Sequence, residues 1–153
     1  MIEVTEFKQS DLDEVITLIH LTINKCYKEI YSSEIVDFFL NYHSKSEILF
    51  RAKTGTFLVI KDNELIVATG FLVADELGGV YVHPDLQNRG YGRMVVEHLL
   101  KVAVEKNIKT VHLDSTPIAR ALYEKLGFQI IRPAVQMIGN VPLNYFIMAK
   151  NII

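Results

Sequence analysis

The chain has 153 residues, of which 50% are hydrophobic, and its formal net charge is −2 at pH 7. This length favours a single domain with a core of its own. The lack of a basic excess argues against nucleic-acid binding, and no Lys/Arg cluster indicates a membrane surface. Cys26 is the only cysteine, which excludes an intramolecular disulfide and a cysteine-based metal cluster. With no signal-peptide pattern and no apolar run of about 18 residues, a cytoplasmic location is expected.

The first part of the chain predicts one strand followed by three helices. Apolar residues alternate between Met1 and Phe7, as in a strand with one buried face. Helix starts are predicted at Ser10, Ser33 and Ser44, because a serine side chain can accept a hydrogen bond from the first helical turn.

The rest of the chain predicts a strand-rich α/β arrangement. Strands are expected at residues 56–61, 65–74, 80–82, 110–114, 128–138 and 143–149. The segment Asp75–Gly79 is typical of a turn. A helix over 90–106 crosses between two of these strands, which must therefore run parallel. A short helix containing Tyr123 precedes the terminal hairpin.

The segment from Val82 to Gly92, VHPDLQNRGYG, leads from an apolar strand into an amphipathic helix. The first N–H groups of a helix have no intrahelical acceptor, and the helix dipole makes this end a binding site for anions such as phosphate. Gly90 and Gly92 allow phosphates to approach the backbone closely. Arg89 and Arg93 can pair with phosphate oxygens. The loop therefore indicates a ligand that carries a diphosphate.

Spacing separates this loop from other glycine-rich loops. The P-loop string is absent, and the dinucleotide fingerprint lacks its third glycine, because Val95 stands there. The pattern Val-x-Pro-x-x-Gln-x-x-Gly-x-Gly is complete and resembles the coenzyme A loop of the GCN5-related N-acetyltransferases. Residues 119–128, ARALYEKLGF, resemble the segment of that family that flanks the pantetheine arm. The resemblance covers residues 64–128 well; the competing interpretation is a tight strand-to-helix turn with solvated arginines.

The resemblance implies a fold and a cofactor. The fold would be a single N-acetyltransferase domain over residues 1–153, of the α/β class. Its mixed, mainly antiparallel sheet would be flanked by helices, with splayed central strands that bind acetyl-CoA. Backbone groups of Val80 and Val82 would bond the pantetheine arm, and Thr116 would replace an asparagine found in relatives. The pyrophosphate would be held by Gln87, Asn88, Arg89, Gly90, Tyr91, Gly92 and Arg93.

The implied reaction moves an acetyl group to a primary amine by direct attack in a ternary complex. An aliphatic amine with a pKa of about 10.4 must first lose a proton. In relatives, a tyrosine at the position of Tyr123 returns a proton to the departing thiolate; the alternative is a core aromatic that only anchors coenzyme A. Glu76 is the candidate base, although its sequence context favours a solvated turn, and ordered water serves some relatives instead.

Several alternatives stay open on the sequence alone. The same loop would suit a non-catalytic acyl-CoA-binding or sensing module, another acyl donor, or an oxygen acceptor. The histidines are dispersed, so no metal site is expected. The acceptor would be a small molecule or a peptide amine, and Tyr27, Tyr31, Tyr42 and His43 are candidates for its pocket, although packing also explains them. A homodimer through the terminal hairpin is a further expectation by analogy.

Overall fold

A computed structural model describes residues 1–153 as five helices and seven strands. The helices are α1 (Leu12–Cys26), α2 (Ser33–Tyr42), α3 (Lys45–Thr54), α4 (Tyr91–Glu105) and α5 (Arg120–Lys125). The strands are β1 (Ile2–Glu6), β2 (Thr56–Asp62), β3 (Leu65–Val73), β4 (Glu76–Val82), β5 (Thr110–Ser115), β6 (Gln129–Ile138) and β7 (Val141–Asn151). None of the helices combines the length and the apolar character needed to span a membrane.

The seven strands form one mixed sheet in the order β1-β2-β3-β4-β5-β7-β6. Every neighbouring pair is antiparallel except β4 and β5, which are parallel. This arrangement confirms the predicted α/β class and the parallel crossover through α4. β6, in the terminal hairpin, is the outermost strand of the sheet. The homodimer expected through this hairpin stays a prediction.

Both faces of the central strands are buried, which divides the core into two halves. On β2, Leu58 and Ile60 pack on the α4 side of the sheet, whereas Phe57 and Val59 pack against α1 on the other side. Alternate side chains of a strand point to opposite faces. The continuous apolar run of β2 is therefore covered by helices on both faces.

A bulge in β4 separates this strand from β5 in the middle of the sheet. Tyr81 lies opposite Thr69 and Gly78 lies opposite Phe71, so β4 has one residue more than β3 between these pairs. Gly79 at the bulge has a φ of +61°. A bulge bends and twists its strand, and β4 pairs with β5 at one register position only, Glu76 with His112. The predicted splay of the central strands is thus confirmed.

The structure corrects the predicted turn at residues 75–79. Only Ala74 and Asp75 connect the strands, and Glu76 is the first residue of β4. The two glycines that suggested a turn lie under the ring of Phe71, where a Cβ added to Gly78 or Gly79 would come within 2.6 Å of ring carbons. They are glycines because the ring leaves no room for a side chain.

Three other local predictions are wrong. Ser33 is the first residue of α2 and not its cap, which is Ser32 and makes no side-chain capping bond. Ser10 does not cap α1; it lies in a 3₁₀ turn, in which the Asp11 carboxylate accepts a hydrogen bond from the Lys8 N–H at 2.9 Å. The terminal hairpin turns over two residues, Gly139 and Asn140, rather than four. By contrast, Ser44 accepts a hydrogen bond from the Glu47 N–H, as predicted.

Two leucines of β3 differ in burial and should therefore differ in their contribution to stability. Leu72 is 1% exposed and Leu65 is 66% exposed. Leu72→Ala is expected to lower the free energy of unfolding by about 2–5 kcal/mol, because it removes buried contacts and leaves a cavity. Leu65→Ala should stay within about 0.5 kcal/mol of the unchanged protein. Urea unfolding followed by circular dichroism measures both, and equal losses would contradict the assigned faces.

Candidate active site

The loop between β4 and α4 presents a row of backbone N–H groups. Asn88 and Gly90 have φ values of +64° and +88°, so the chain turns sharply before the helix. The N–H groups from Gln87 to Arg93 donate to no acceptor in the chain, and the first bond of the helix runs from the Met94 N–H to the Gly90 carbonyl. Such a run at a helix start is suited to an anion.

The side chain of Gln87 holds the loop against the end of β4. Its Nε2 donates to the Val82 carbonyl oxygen at 2.9 Å. The Thr22 hydroxyl donates to the same oxygen at 3.2 Å. The Val82 carbonyl is therefore satisfied within the chain, and Gln87 offers a ligand its backbone N–H.

The side chains of the loop differ in their surroundings. The ring of Tyr91 is buried in the core, and its hydroxyl donates to Asp62 Oδ2 at 3.2 Å. The Arg93 guanidinium is exposed and bonds Glu97 Oε1 at 2.7 Å. A Cβ added to Gly90 would meet nothing within 4 Å, whereas one added to Gly92 would make ordinary contacts with the core.

The gap between β4 and β5 begins at this loop. The His83 N–H donates to the Val67 carbonyl, and Tyr81 lies opposite Thr69, so these two residues face β3. By the alternation of an antiparallel ladder, the N–H of Val82 faces the gap instead. The bulge interrupts this alternation before Tyr81, and Val80 lines the adjoining cavity. Across it, the Thr116 hydroxyl accepts a hydrogen bond from the Ala119 N–H at 3.3 Å, at the turn that precedes α5.

A cavity of about 170 Å³ continues from the gap towards α2. It is enclosed by the end of α1 with α2, by the strands β3, β4 and β5, by α5 with the turn before it, and by the terminal hairpin. Its lining includes Tyr27, Phe38, Phe39, Tyr42, His43, Phe71, Glu76, Tyr81, Asp114, Thr116, Tyr123, Gln136 and Tyr145. Eight of the twenty lining residues are Phe or Tyr, and the lining contains no lysine or arginine.

The predicted catalytic residues Tyr123 and Glu76 both line this cavity. Tyr123 is 6% exposed, and burial, with a smaller effect of Tyr27, raises the pKa of its hydroxyl well above the usual range. Burial also raises the pKa of Tyr27, to about 12. These phenols therefore stay protonated at neutral pH. Of the other predicted residues, Val80 and Thr116 also line the cavity.

Two carboxylates share the opening of the cavity. Burial raises the pKa of Glu76, and the nearby charge of Asp114 raises it further, while Arg51 lowers it. Burial also raises the pKa of Asp114, against a smaller effect of Arg132. Two carboxylates close together disfavour simultaneous ionisation. Glu76 is therefore a better proton acceptor than an exposed glutamate.

A buried guanidinium stabilises the wall next to Glu76. Arg51 is 5% exposed and donates to the Tyr42 carbonyl at 2.7 Å and to His43 Nδ1 at 3.2 Å. Its guanidinium lies 4.4 Å from the ring centre of Tyr42 and 4.8 Å from that of Phe71, as in cation–π contacts. Because guanidinium only donates, His43 Nδ1 must accept, and the ring proton is on Nε2.

Asp114 and Arg51 are the members of this site that the sequence did not suggest. Asp114 alternates with the buried Val111 and Leu113 on β5, which indicates that it points to the other face of the strand. That period was visible in the sequence, but the pairing of His112 with Glu76 was not. Arg51 lies in the middle of a short helix, where a solvated arginine would look the same.

The fold and the loop define the class of this protein. The family model described as acetyltransferase (GNAT) family matches residues 18–128, which include the loop, the gap and α5. The chain therefore belongs to the acetyltransferase (GNAT) family.

Curated proteins that are similar in sequence support this assignment over part of the chain. A ribosomal protein bS18-alanine N-acetyltransferase of Salmonella typhimurium is 40% identical over 76 residues, 46% of this chain and 51% of that protein. Such curated relatives are thus matched over about half of their length or less.

Two crystal structures have the same fold over nearly the whole chain. A GCN5-related N-acetyltransferase from Rhodopseudomonas palustris has a TM-score of 0.89 at 18% identity, over 98% of this chain and 95% of that one. The PaiA N-acetyltransferase from Thermoplasma acidophilum, in complex with coenzyme A, has a TM-score of 0.84 at 21% identity, over 99% of both chains.

The buried state of His43 has a consequence for stability. Burial, with help from Arg51 and His20, lowers the pKa of His43 from 6.5 to about 3. The unfolded chain therefore binds a proton below pH 6.5 that the folded chain does not, so stability should fall as the pH falls from 6.5 towards 3. His43 alone should account for a loss of about 2 kcal/mol between pH 6.5 and pH 4.5.

Urea unfolding at a series of pH values measures this slope. His43→Gln keeps a hydrogen-bond acceptor for Arg51 and should make the slope shallower. His98→Gln, which lies outside the Arg51 cluster, controls for the loss of a histidine. An unchanged slope in His43→Gln would contradict a neutral, buried His43.

Proposed function

We propose that this protein is an acetyl-CoA-dependent N-acetyltransferase that acts on a primary amine by direct attack in a ternary complex. The observation that supports this most is the continuity of the site. A row of unbonded N–H groups, a gap between splayed strands and a cavity with a carboxylate and a phenol follow one another. The family match and the coenzyme A complex of a protein with the same fold support the same cofactor.

The loop and the gap suit acetyl-CoA, which would supply the acetyl group as a thioester. The N–H groups from Gln87 to Arg93 would bind the pyrophosphate, and Arg89 and Arg93 would add positive charge. Val80 and the N–H of Val82 would bond the pantetheine arm like an added strand. Thr116 would bond the arm only in part, because its hydroxyl already accepts from the Ala119 N–H.

Glu76 and Tyr123 would divide the proton transfers. An acceptor amine enters as an ammonium ion, and Glu76, with its raised pKa, would take up a proton from it, directly or through water. Tyr123 would protonate the departing sulfur, since its hydroxyl is protonated at any physiological pH. Burial would raise the pKa of a thiol in this place as well, which offsets the weaker acidity of the buried phenol.

A non-catalytic acyl-CoA-binding module would need the loop and the gap but not the cavity chemistry. The raised pKa of Glu76 and the buried hydroxyl of Tyr123 beside the gap favour the enzyme. The acceptor would be a small molecule or a peptide amine.

Binding of coenzyme A tests the loop independently of catalysis. Gly90→Ala forces a side chain into a left-handed backbone conformation, which costs about 1–2 kcal/mol. It should therefore distort the loop and weaken coenzyme A binding about tenfold. Gly139→Ala, a matched control, imposes the same left-handed strain at the tip of the terminal hairpin, outside the loop, and should bind as the unchanged protein does. Calorimetric titration measures both, and equal affinities for the two variants would contradict this geometry.

Turnover tests the role of Tyr123. Tyr123→Phe removes only the hydroxyl and should lower kcat about a hundredfold while KM for acetyl-CoA changes little. Tyr31→Phe is the control, because the buried Tyr31 hydroxyl has no hydrogen-bond partner. Release of coenzyme A is followed with a thiol reagent, and a protein-only blank corrects for the partly exposed Cys26. Equal kcat values for the two variants would contradict an acid role for Tyr123, and binding of acetyl-CoA without amine-dependent release would favour the binding module.

A further inference from the structure

The cavity contains a second carboxylate that the proposed reaction does not use. On β5, Asp114 lies two residues beyond His112, the partner of Glu76 in the parallel pair. Residues two apart on a strand share a face and are roughly 6–7 Å apart along it. Asp114 therefore lies further along the gap than Glu76, on the same face of the sheet, and both line the cavity.

Neither carboxylate has a partner in the chain. No salt bridge and no side-chain hydrogen bond involves Glu76 or Asp114, although other acidic residues of the chain are paired. The lining offers no lysine or arginine to either of them. Both side chains are exposed and therefore solvated, but each is free to bind a cation through a charge-assisted hydrogen bond. Arg51 and Arg132 act on these carboxylates only from a distance, so a cationic ligand would be their first close partner.

Buried polar side chains on the same cavity point independently to a ligand. His43 is 4% exposed, carries its proton on Nε2, and this nitrogen donates to no atom of the chain. It lines the cavity and is not among the polar atoms shut off from solvent, so it is accessible from there. The Tyr123 hydroxyl, at 6% exposure, also has no partner in the chain, and unlike the His43 N–H it can accept a hydrogen bond from an ammonium group.

The walls between these polar groups suit methylene groups and ammonium ions. Phe38, Phe39, Tyr42 and Tyr145 line the cavity with aromatic rings. Aromatic faces attract cations and also pack against aliphatic chains. The cavity thus combines two carboxylates with an aromatic, largely apolar lining.

From this arrangement, and resting on the proposed function, we infer that the acceptor is a small aliphatic diamine whose second ammonium group binds to Asp114. The reacting amine forms a bond to the acetyl carbon while the carbon–sulfur bond breaks. It enters as an ammonium ion and loses two protons, of which one ends on sulfur and the other passes through Glu76 to solvent. A peptide amino terminus has one ammonium group and would leave Asp114 unpaired.

Comparing a diamine with a monoamine of the same shape tests this inference. Putrescine and n-pentylamine differ by an ammonium group in place of a methyl group, and an alanine-terminated peptide serves as a third acceptor. With acetyl-CoA, kcat/KM for putrescine should exceed that for n-pentylamine and for the peptide by about tenfold or more, as a charge-assisted hydrogen bond provides.

Three variants separate binding of the second charge from other effects. Asp114→Asn should bring the ratio of the two amines close to one. Glu76→Gln should slow both amines and preserve the ratio, since it acts on the reacting nitrogen. Asp37→Asn removes an exposed charge from α2 outside the cavity lining and should preserve both rates.

The outcomes distinguish this inference from the proposed function. A preference for n-pentylamine or the peptide, or an unchanged ratio in Asp114→Asn, would overturn the diamine assignment and leave the acetyltransferase standing. If no acceptor is acetylated although acetyl-CoA binds in the calorimeter, the proposed function fails, and the diamine assignment fails with it.

Discussion

The contact of the Phe71 ring with the backbone of Gly78 and Gly79 determines the shape of the whole site. Any Cβ at these positions would come within 2.6 Å of the ring, and the positive φ of Gly79 accommodates the extra residue of β4. The resulting bulge turns β4 away from β5 after their single paired position at Glu76 and His112. The same ring lines the cavity and lies under the Arg51 guanidinium. One apolar contact thus opens the gap and supports the adjacent wall.

The cavity lining carries no positive charge because Arg51, the buried cation beside it, bonds to groups inside the wall. Arg51 bonds the end of α2 and His43 and lies between the rings of Tyr42 and Phe71. A buried guanidinium without such partners would be unstable. It fixes the tautomer of His43 and moderates the pKa of Glu76 without reaching the lining. Arg51 also pairs with Glu47 at 3.5 Å, so its charge is partly neutralised behind the aromatic surface, while the only charged groups of the surface itself are carboxylates.

The sequence predicted those parts of the site that depend on neighbouring residues. The strand-to-helix loop followed from Val82–Gly92, and the left-handed conformations of Gly90 and Gly127 agree with the residue types. The predictions failed where a residue far away in the sequence determines the local structure. Gly78 and Gly79 indicated a turn because the sequence does not reveal that Phe71 covers them, and this hid the strand position of Glu76. Asp114 was missed because its proximity to Glu76 depends on the register of a parallel pair.

This division between local and distant determinants also separates the proposed cofactor half of the site from the proposed acceptor half. The family match ends at residue 128, after α5, and so includes the loop and the gap. The terminal hairpin lies beyond it, yet Gln136, Leu143 and Tyr145 contribute to the cavity. A cofactor held mostly by backbone N–H groups constrains few side chains, whereas an acceptor is recognised by the side chains that surround it. Members of one family can therefore share the loop and differ in acceptor, and the acceptor of this protein has to be inferred from its own cavity.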